Sequence, residues 1–174
     1  MQFYFKQSTE ADLPFYTECF QNEEFQYMLY GDCPLRLSQL ETYIAENGKD
    51  YKFVVIADNK GEKIKVGFVH FYYDIDNRYT FIGGIHPLFF NSGLGASASV
   101  ASLSFFYDIN GRASFVTGIY KHNRRSLRLH LAIGFVITEE TKEMYVLSLD
   151  KEHFDNDFVR SIKNRINYLQ INVE

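Results

Sequence analysis

Along the chain, apolar runs of strand length and apolar spacings of helical period follow one another in blocks, and turn residues separate the blocks. Residues 1–8 read as a strand. Thr9 follows as a helix cap, with Asp12 three residues later, close to a capping-box pattern. Polar and aromatic residues then keep helical spacing as far as Tyr30, and Gly31, Asp32 and Pro34 break the chain. Ser38 opens another helix, predicted to stop at Asn47-Gly48. Next comes a strand over 51–57, built on Phe53-Val54-Val55-Ile56, and a turn at Asp58-Asn59-Lys60-Gly61. A strand over 63–73, a turn over 74–77 and a strand over 79–85 complete an expected antiparallel meander, because the connections are short.

Pro87 ends the third of these strands. A glycine-bearing loop leads into a long uncharged helix over 93–107. Residues 113–119 read as a strand and 123–133 as a helix between an Asn cap and a Gly stop. Residues 134–138 and 144–149 form an expected hairpin, and 154–169 a further helix. The order of elements predicts an α/β (α+β) fold, a sheet with helices packed on it.

A chain of 174 residues suits one domain, here spanning 1–174 with a C-terminal helical extension over 152–174. Hydrophobic residues at 46% and charged residues at 23% describe a globular chain and exclude disorder. The net charge of −4 argues against a nucleic-acid partner, which needs a basic surface. The densest basic stretch, Lys121-His122-Asn123-Arg124-Arg125, is too short to change that. Cys19 and Cys33 have no metal-type spacing, so no metal is expected, and the chain turns polar too early for a secretory leader. Reduced thiols and a cytoplasmic location follow. The uncharged helix is rich in Ser, Ala and Gly and falls short of a membrane span.

Candidate chemistry concentrates in Gly83-Gly84-Ile85-His86-Pro87-Leu88-Phe89-Phe90-Asn91-Ser92-Gly93-Leu94-Gly95-Ala96. Here a strand passes through a short loop into a helix. Gly93 and Gly95 let the backbone approach a ligand, and the helix start offers unpaired N–H groups and a positive dipole end. That combination binds phosphate. A strand-to-helix turn that merely uses glycine is the plain alternative. The paired glycines at 83 and 84 suggest a bulge or the close approach of another molecule.

A second segment, Asn123-Arg124-Arg125-Ser126-Leu127-Arg128-Leu129-His130-Leu131-Ala132-Ile133-Gly134-Phe135, stands the right distance downstream with a strand between. The two segments together resemble the GNAT superfamily of acyl-CoA N-acyltransferases. The first is similar to the family's strand-Pro-loop with Arg/Gln-x-x-Gly-x-Gly/Ala, and the second to Asn-x-x-Ser-x-x-x-Tyr/His-x-x-x-Gly-Phe. The wording is closest to ribosomal-protein N-terminal acetyltransferases and phosphinothricin-type acetyltransferases. Phe90 departs from the pattern, standing where the family usually has Arg or Gln.

The resemblance implies a mixed, mostly antiparallel seven-stranded sheet flanked by helices, with the C-terminal helix added. It implies acetyl-CoA as co-substrate and a primary amine, of a small molecule or a peptide, as acceptor. Gly84, Ile85, Phe90, Asn91, Ser92, Gly93, Leu94, Gly95, Ala96, Asn123 and Ser126 would hold the cofactor. His130, where relatives have Tyr, would protonate the departing CoA sulfur near neutral pH. A partly buried structural histidine is its plain alternative, and helix capping is that of Asn123. Many relatives use a Glu as base at the position of Tyr79, so His70, His86 or a water chain would have to serve. The segment over 15–37 would cover the acceptor cleft, with Phe20, Phe25, Tyr27 and Tyr30 near Glu18, Glu23 and Glu24. Two rivals stand beside this reading: a GNAT-fold binding module with weak or no turnover, and an enzyme for a longer acyl-CoA. No membrane partner is expected, and the chain would be a monomer or a homodimer.

Overall fold

The computed structural model describes residues 1–45, 50–111 and 113–171. The expected meander is present as β2 (Tyr51–Asn59), β3 (Glu62–Tyr73) and β4 (Arg78–Ile85), each antiparallel to the next. Its first turn puts Lys60 and Gly61 at φ of 59° and 93°. Both residues are left-handed, the geometry that matches the twist of a two-residue hairpin. β1 (Gln2–Gln7) runs antiparallel along β2, from Gln2 opposite Asp58 to Gln7 opposite Phe53.

A helical crossover, α4 (Leu94–Ile109), carries the chain to β5 (Ser114–Tyr120). β5 lies parallel to β4, but the two pair only at Arg78–Ser114, Tyr79–Phe115 and Thr80–Val116. They part from Phe81 onward, two residues before the paired glycines Gly83 and Gly84. Then follow α5 (Arg124–Ile133), β6 (Val136–Glu140) and β7 (Met144–Leu149), with β7 antiparallel to β5 and β6 at the sheet edge.

The expected tail helix over 154–169 is corrected by the structure. Only α6 (Asp157–Lys163) is helical, capped by Asn156 Oδ1 accepting from the Val159 N–H at 3.0 Å. β8 (Asn167–Ile171) then lies parallel to β1. Among the described residues the sheet therefore has eight strands, one more than the seven expected, in the order β6-β7-β5-β4-β3-β2-β1-β8. Asn167-Tyr168-Leu169-Gln170-Ile171 can continue a helix or pair as a strand, and the open edge of β1 decides for pairing.

The single helical run read as far as Tyr30 is also divided. A 3-10 turn at Glu10–Asp12 leads into α1 (Leu13–Phe20), and α2 (Glu23–Tyr30) restarts behind Asn22, whose Oδ1 accepts from the Phe25 N–H at 2.8 Å. α3 (Leu40–Ile44) opens near Ser38 as expected; its predicted stop at Asn47-Gly48 lies outside the described residues.

Two cores result. On one face of the sheet α4, α5 and α6 cover Phe3, Phe5, Val69, Phe71, Phe81 and Phe115. On the other, α1, α2 and α3 cover Val54, Ile56 and Phe68. α4 is buried from Val100 to Tyr107, which is why this stretch carries no charge.

Asp12 lies between the layers, fully buried. Lys6 Nζ and Lys65 Nζ donate to Oδ1 at 2.6 and 2.9 Å, and the Thr9 N–H donates to Oδ2 at 3.1 Å. Burial alone would raise the pKa of this carboxyl, but the three donors outweigh it and hold the group below its ordinary value. Asp12→Asn leaves two ammonium groups facing a neutral amide. It is expected to lower stability by about 3 kcal/mol, the scale for breaking a buried pair. An unchanged urea midpoint would refute this account of Asp12.

Candidate active site

Beyond Thr80 the β5-facing backbone of β4 has no strand partner. The gap opens into a cleft of about 340 Å³. Gly83, Gly84 and Ile85 of β4 form its floor, Gly95, Ala96 and Ser99 of α4 one wall, and Ser126, Leu129 and His130 of α5 another. Phe25, Met28 and Leu29 of α2 close it from the opposite face of the sheet. Gly84 permits this closure: a Cβ there would stand 2.7 Å from the Phe25 ring. The cleft lining includes every residue expected at the cofactor site except Ser92 and Leu94.

Those two residues shape the loop instead. Ser92 Oγ donates to the Phe89 carbonyl at 2.7 Å and accepts from the Leu94 N–H at 3.2 Å. Gly93, at φ 81°, precedes the first turn of α4 in a left-handed conformation that a side chain would strain. A Cβ at Gly93 would meet nothing within 4 Å, and one at Gly95 only Ile85 Cγ1 at 3.6 Å. Open space therefore faces the positive end of a 16-residue helix.

Phe90 brings no charge to this loop, but the fold supplies one from elsewhere. Arg125, in the first turn of α5, lies over the Phe90 ring, its Cζ 5.3 Å from the ring centroid. Its Nη1 donates to Asn91 Oδ1. Phe90 in turn stacks on Phe25 at 6.4 Å and 13°. Reasoning from sequence passed over Arg125, although its basic stretch was visible.

His130 is buried at 8% exposure, against Phe135 and Phe81 at ring centroid distances of 4.9 and 5.9 Å. Nδ1 lies 2.8 Å from the Ser126 carbonyl and 3.3 Å from Ser126 Oγ. A carbonyl oxygen only accepts, so Nδ1 carries the hydrogen and Nε2 keeps its lone pair. Burial pushes the pKa down to about 4, against a smaller opposing pull from the Ser126 carbonyl. The ring is thus neutral at pH 7, whereas a proton donor near neutral pH was expected. It must receive a proton before it can deliver one.

The residues considered as bases lie elsewhere. His70 is fully buried on the α1 side, with Nε2 2.9 Å from Tyr16 Oη and Nδ1 3.0 Å from Tyr72 Oη. Burial, with Lys52 nearby, holds its pKa well below the ordinary value. His86 accepts from the Leu88 N–H at Nδ1 and points Nε2 at Glu18, 3.4 Å away, in a separate shallow recess. Tyr79 is a core residue whose hydroxyl accepts from Asn110 Nδ2 at 3.1 Å. Of the aromatic residues expected at the acceptor cleft, Phe20 is core, Tyr30 packs against that core, and Tyr27 stacks on His122. Glu23 and Glu24 are exposed on α2. Among the described residues, no carboxylate lines the cleft.

The Acetyltransferase (GNAT) domain family matches residues 2–136. The chain belongs to the GNAT acetyltransferases. Solved structures of similar fold include a domain from Methanocaldococcus jannaschii DSM 2661, with a TM-score of 0.73, 16% identity and 85% of this chain over 97% of that one. A spermidine N-acetyltransferase from Vibrio cholerae, in complex with CoA and spermine, has a TM-score of 0.71 and 17% identity, with 89% and 99% covered. A GNAT-family acetyltransferase from Bacillus anthracis has a TM-score of 0.70 and 19% identity, with 85% and 94% covered. No curated protein matches by sequence. As a GNAT member the chain is an acyl-CoA-dependent N-acetyltransferase with acetyl-CoA as co-substrate. Among the described residues no helix is long and apolar enough to cross a membrane.

The buried, neutral state of His70 and His130 has a consequence for stability. Both folded-state pKa values lie below the unfolded value, so the unfolded chain binds more protons on acidification. Their contribution is complete above about pH 6.5 and falls below it, by about 1.4 kcal/mol per pH unit for each ring that the unfolded chain alone protonates; for His130 the loss runs down to its folded value of about 4. Urea unfolding between pH 7.5 and 4.5 reads this slope, which His70→Gln with His130→Gln should flatten. Equal slopes in the wild type and this double variant would contradict the assignment.

Proposed function

We propose that the chain transfers the acetyl group of acetyl-CoA to the primary amine of a small molecule or peptide by direct attack on the thioester. One observation carries this reading: the cleft runs from an open, glycine-lined helix start at Gly93 and Gly95 to a buried neutral imidazole at His130. The helix start takes the pyrophosphate, with Arg125 adding the charge that Phe90 lacks. The unpaired backbone of β4 takes the pantetheine arm and polarises the thioester carbonyl.

The neutral amine attacks the carbonyl carbon, and the C–N bond forms as the carbonyl electrons move to oxygen. The nitrogen becomes cationic and acidic. His130 Nε2 accepts its proton, directly or through one water. The tetrahedral intermediate then collapses, the C–S bond breaks, and the imidazolium gives the same proton to the thiolate. Its low proton affinity means the proton stays on the ring only in transit. Amide and CoA leave with all protons accounted for. A cytoplasmic setting and a cationic amine such as a polyamine suit this reading, and an acetylation screen over polyamines, amino sugars and peptide N-termini tests the acceptor class.

That no carboxylate lines the cleft among the described residues favours one second reading, a GNAT-fold acyl-CoA-binding module with weak turnover. Slow hydrolysis of bound acetyl-CoA, with no product across the amine panel, would support it.

Gly95→Val fills the space before the helix start without backbone strain. It is expected to reduce acetyl-CoA affinity at least tenfold, while Arg125→Gln costs roughly tenfold, the scale for a charge-assisted contact. Acetyl-pantetheine, which lacks the phosphates, should bind the Arg125→Gln variant as it binds the wild type. Calorimetric affinities unchanged in both variants would remove the loop from the cofactor site.

His130→Ala should lower turnover by roughly 10²-fold with acetyl-CoA affinity nearly unchanged. His130→Tyr should keep part of the activity. The wild-type rate should show no enzyme titration between pH 5 and 8 and should rise with pH until the amine itself is neutral. A fall in rate above pH 6.5 would mean that a preprotonated acid operates instead.

A further inference from the structure

The loop between β5 and α5 does more than begin a helix. Asn123 uses both ends of its amide: Oδ1 accepts from the Ser126 N–H at 3.1 Å, capping α5, and Nδ2 donates to the Met28 carbonyl at 3.0 Å. Met28 belongs to α2, on the opposite face of the sheet, 95 residues away in sequence. Beside it, His122 Nε2 donates to the Tyr27 carbonyl at 3.0 Å, and its ring stacks on Tyr27 at 4.0 Å and 15°. Both acceptors are last-turn carbonyls of α2; the Tyr27 carbonyl also accepts from the Gly31 N–H at 2.9 Å, so His122 adds a second donor there. Tyr120 backs the arrangement, stacked on His122 at 5.4 Å and 19°. Its ring lies so close to Gly31 that a Cβ there would meet it at 2.8 Å.

The location gives these contacts their meaning. α2 is held to the β3–β4 half of the sheet by Phe25, packed on Phe68 at 6.0 Å and over Gly84. On the other side of the gap, α2 packs against β5 and is bonded to the loop that follows it. The helix therefore spans the break between β4 and β5 where strand pairing is missing. Phe25, Met28 and Leu29, the residues that close the cleft, lie on this bridge.

We propose that His122 and Asn123 are positioning residues that pin α2 across the split sheet, so that one loop fixes both the helix start on the cofactor side and the wall through which the amine approaches. The functional part of this rests on the acetyltransferase reading above; the pinning does not. Asn123 acts through Met28 and Ser126, and its cofactor-side role is to hold α5 in place.

The test separates capping from pinning. Asp is as good a helix cap as Asn and is favoured by the helix dipole, but it has no N–H to give Met28. Amide hydrogen exchange is measured without CoA on the wild type, on His122→Ala with Asn123→Asp, and on Asn123→Ser, a neutral cap too short to reach Met28. Amides over 24–30 should exchange roughly tenfold faster or more in the double variant, the scale for losing two hydrogen bonds. Amides of α5 should keep their wild-type rates. Asn123→Ser should show the α2 effect in smaller measure, which covers the case of a double variant that does not fold. Wild-type exchange of α2 in these variants overturns the proposal, as does loosening of α5 in step with α2, which would make Asn123 a cap and nothing more. CoA calorimetry on the wild type stands apart: a chain that binds no CoA would sink the enzymatic reading and leave the exchange result to judge the pinning.

Discussion

A parallel strand pair in the middle of a sheet whose other pairs, β1–β8 apart, are antiparallel imposes a constraint that the rest of the molecule answers. β4 and β5 are joined by a helical crossover, and they hold register for three residue pairs before separating. Past that point each strand presents backbone donors and acceptors to the gap. Buried and unmatched, such groups cost free energy. The molecule leaves them accessible in a cleft, floors it with glycine, and bridges the far side with α2. The cleft is thus the consequence of where sheet pairing fails.

The electrostatics follow from the same layout. The cleft lies between two aromatic cores, so a titratable side chain that faces it from α5 is largely desolvated. His130 is therefore neutral, and its tautomer is fixed by the carbonyl one helical turn back. A tyrosine hydroxyl at that position would carry a proton at neutral pH from the outset, whereas this neutral imidazole would have to take one up first.

Legibility of the sequence varied with how local the deciding physics was. The hairpins, the α5 cap at Asn123 and stop at Gly134, and the glycine loop are written in adjacent residues, and they appear where expected. The split of the N-terminal helix depends on one capping asparagine, Asn22, inside a run whose periodicity otherwise continues. β8 depends on the free edge of β1, more than 160 residues upstream, which no window around Asn167 contains. The positions of His70, a candidate base, and of Tyr79, where relatives carry the base, have a related cause. His70 and Tyr79 lie on neighbouring strands of the sheet that floors the cleft, but strand alternation and position turn them into packed layers away from the gap. Only the two-faced burial of each strand tells them apart from residues that line it.

Arg125 shows how a departure from a family pattern can be met from a different element. A cation at position 90 would have stood beside the helix start on the loop itself. With Phe90 there, the loop instead presents an aromatic face, and a guanidinium from α5 lies on it. The ring holds the guanidinium by its quadrupole, and Asn91, in a left-handed conformation at φ 62°, turns its amide oxygen to fix the fork. An arginine held at both places has less rotamer freedom left to lose than one projecting from a loop. The aromatic substitution and the distant cation therefore belong together: Phe90 positions Arg125, through the same stack that joins Phe90 to Phe25 and so to α2. The Arg125 charge beside the glycine loop and the closure of the cleft by α2 are linked by a single line of packed rings.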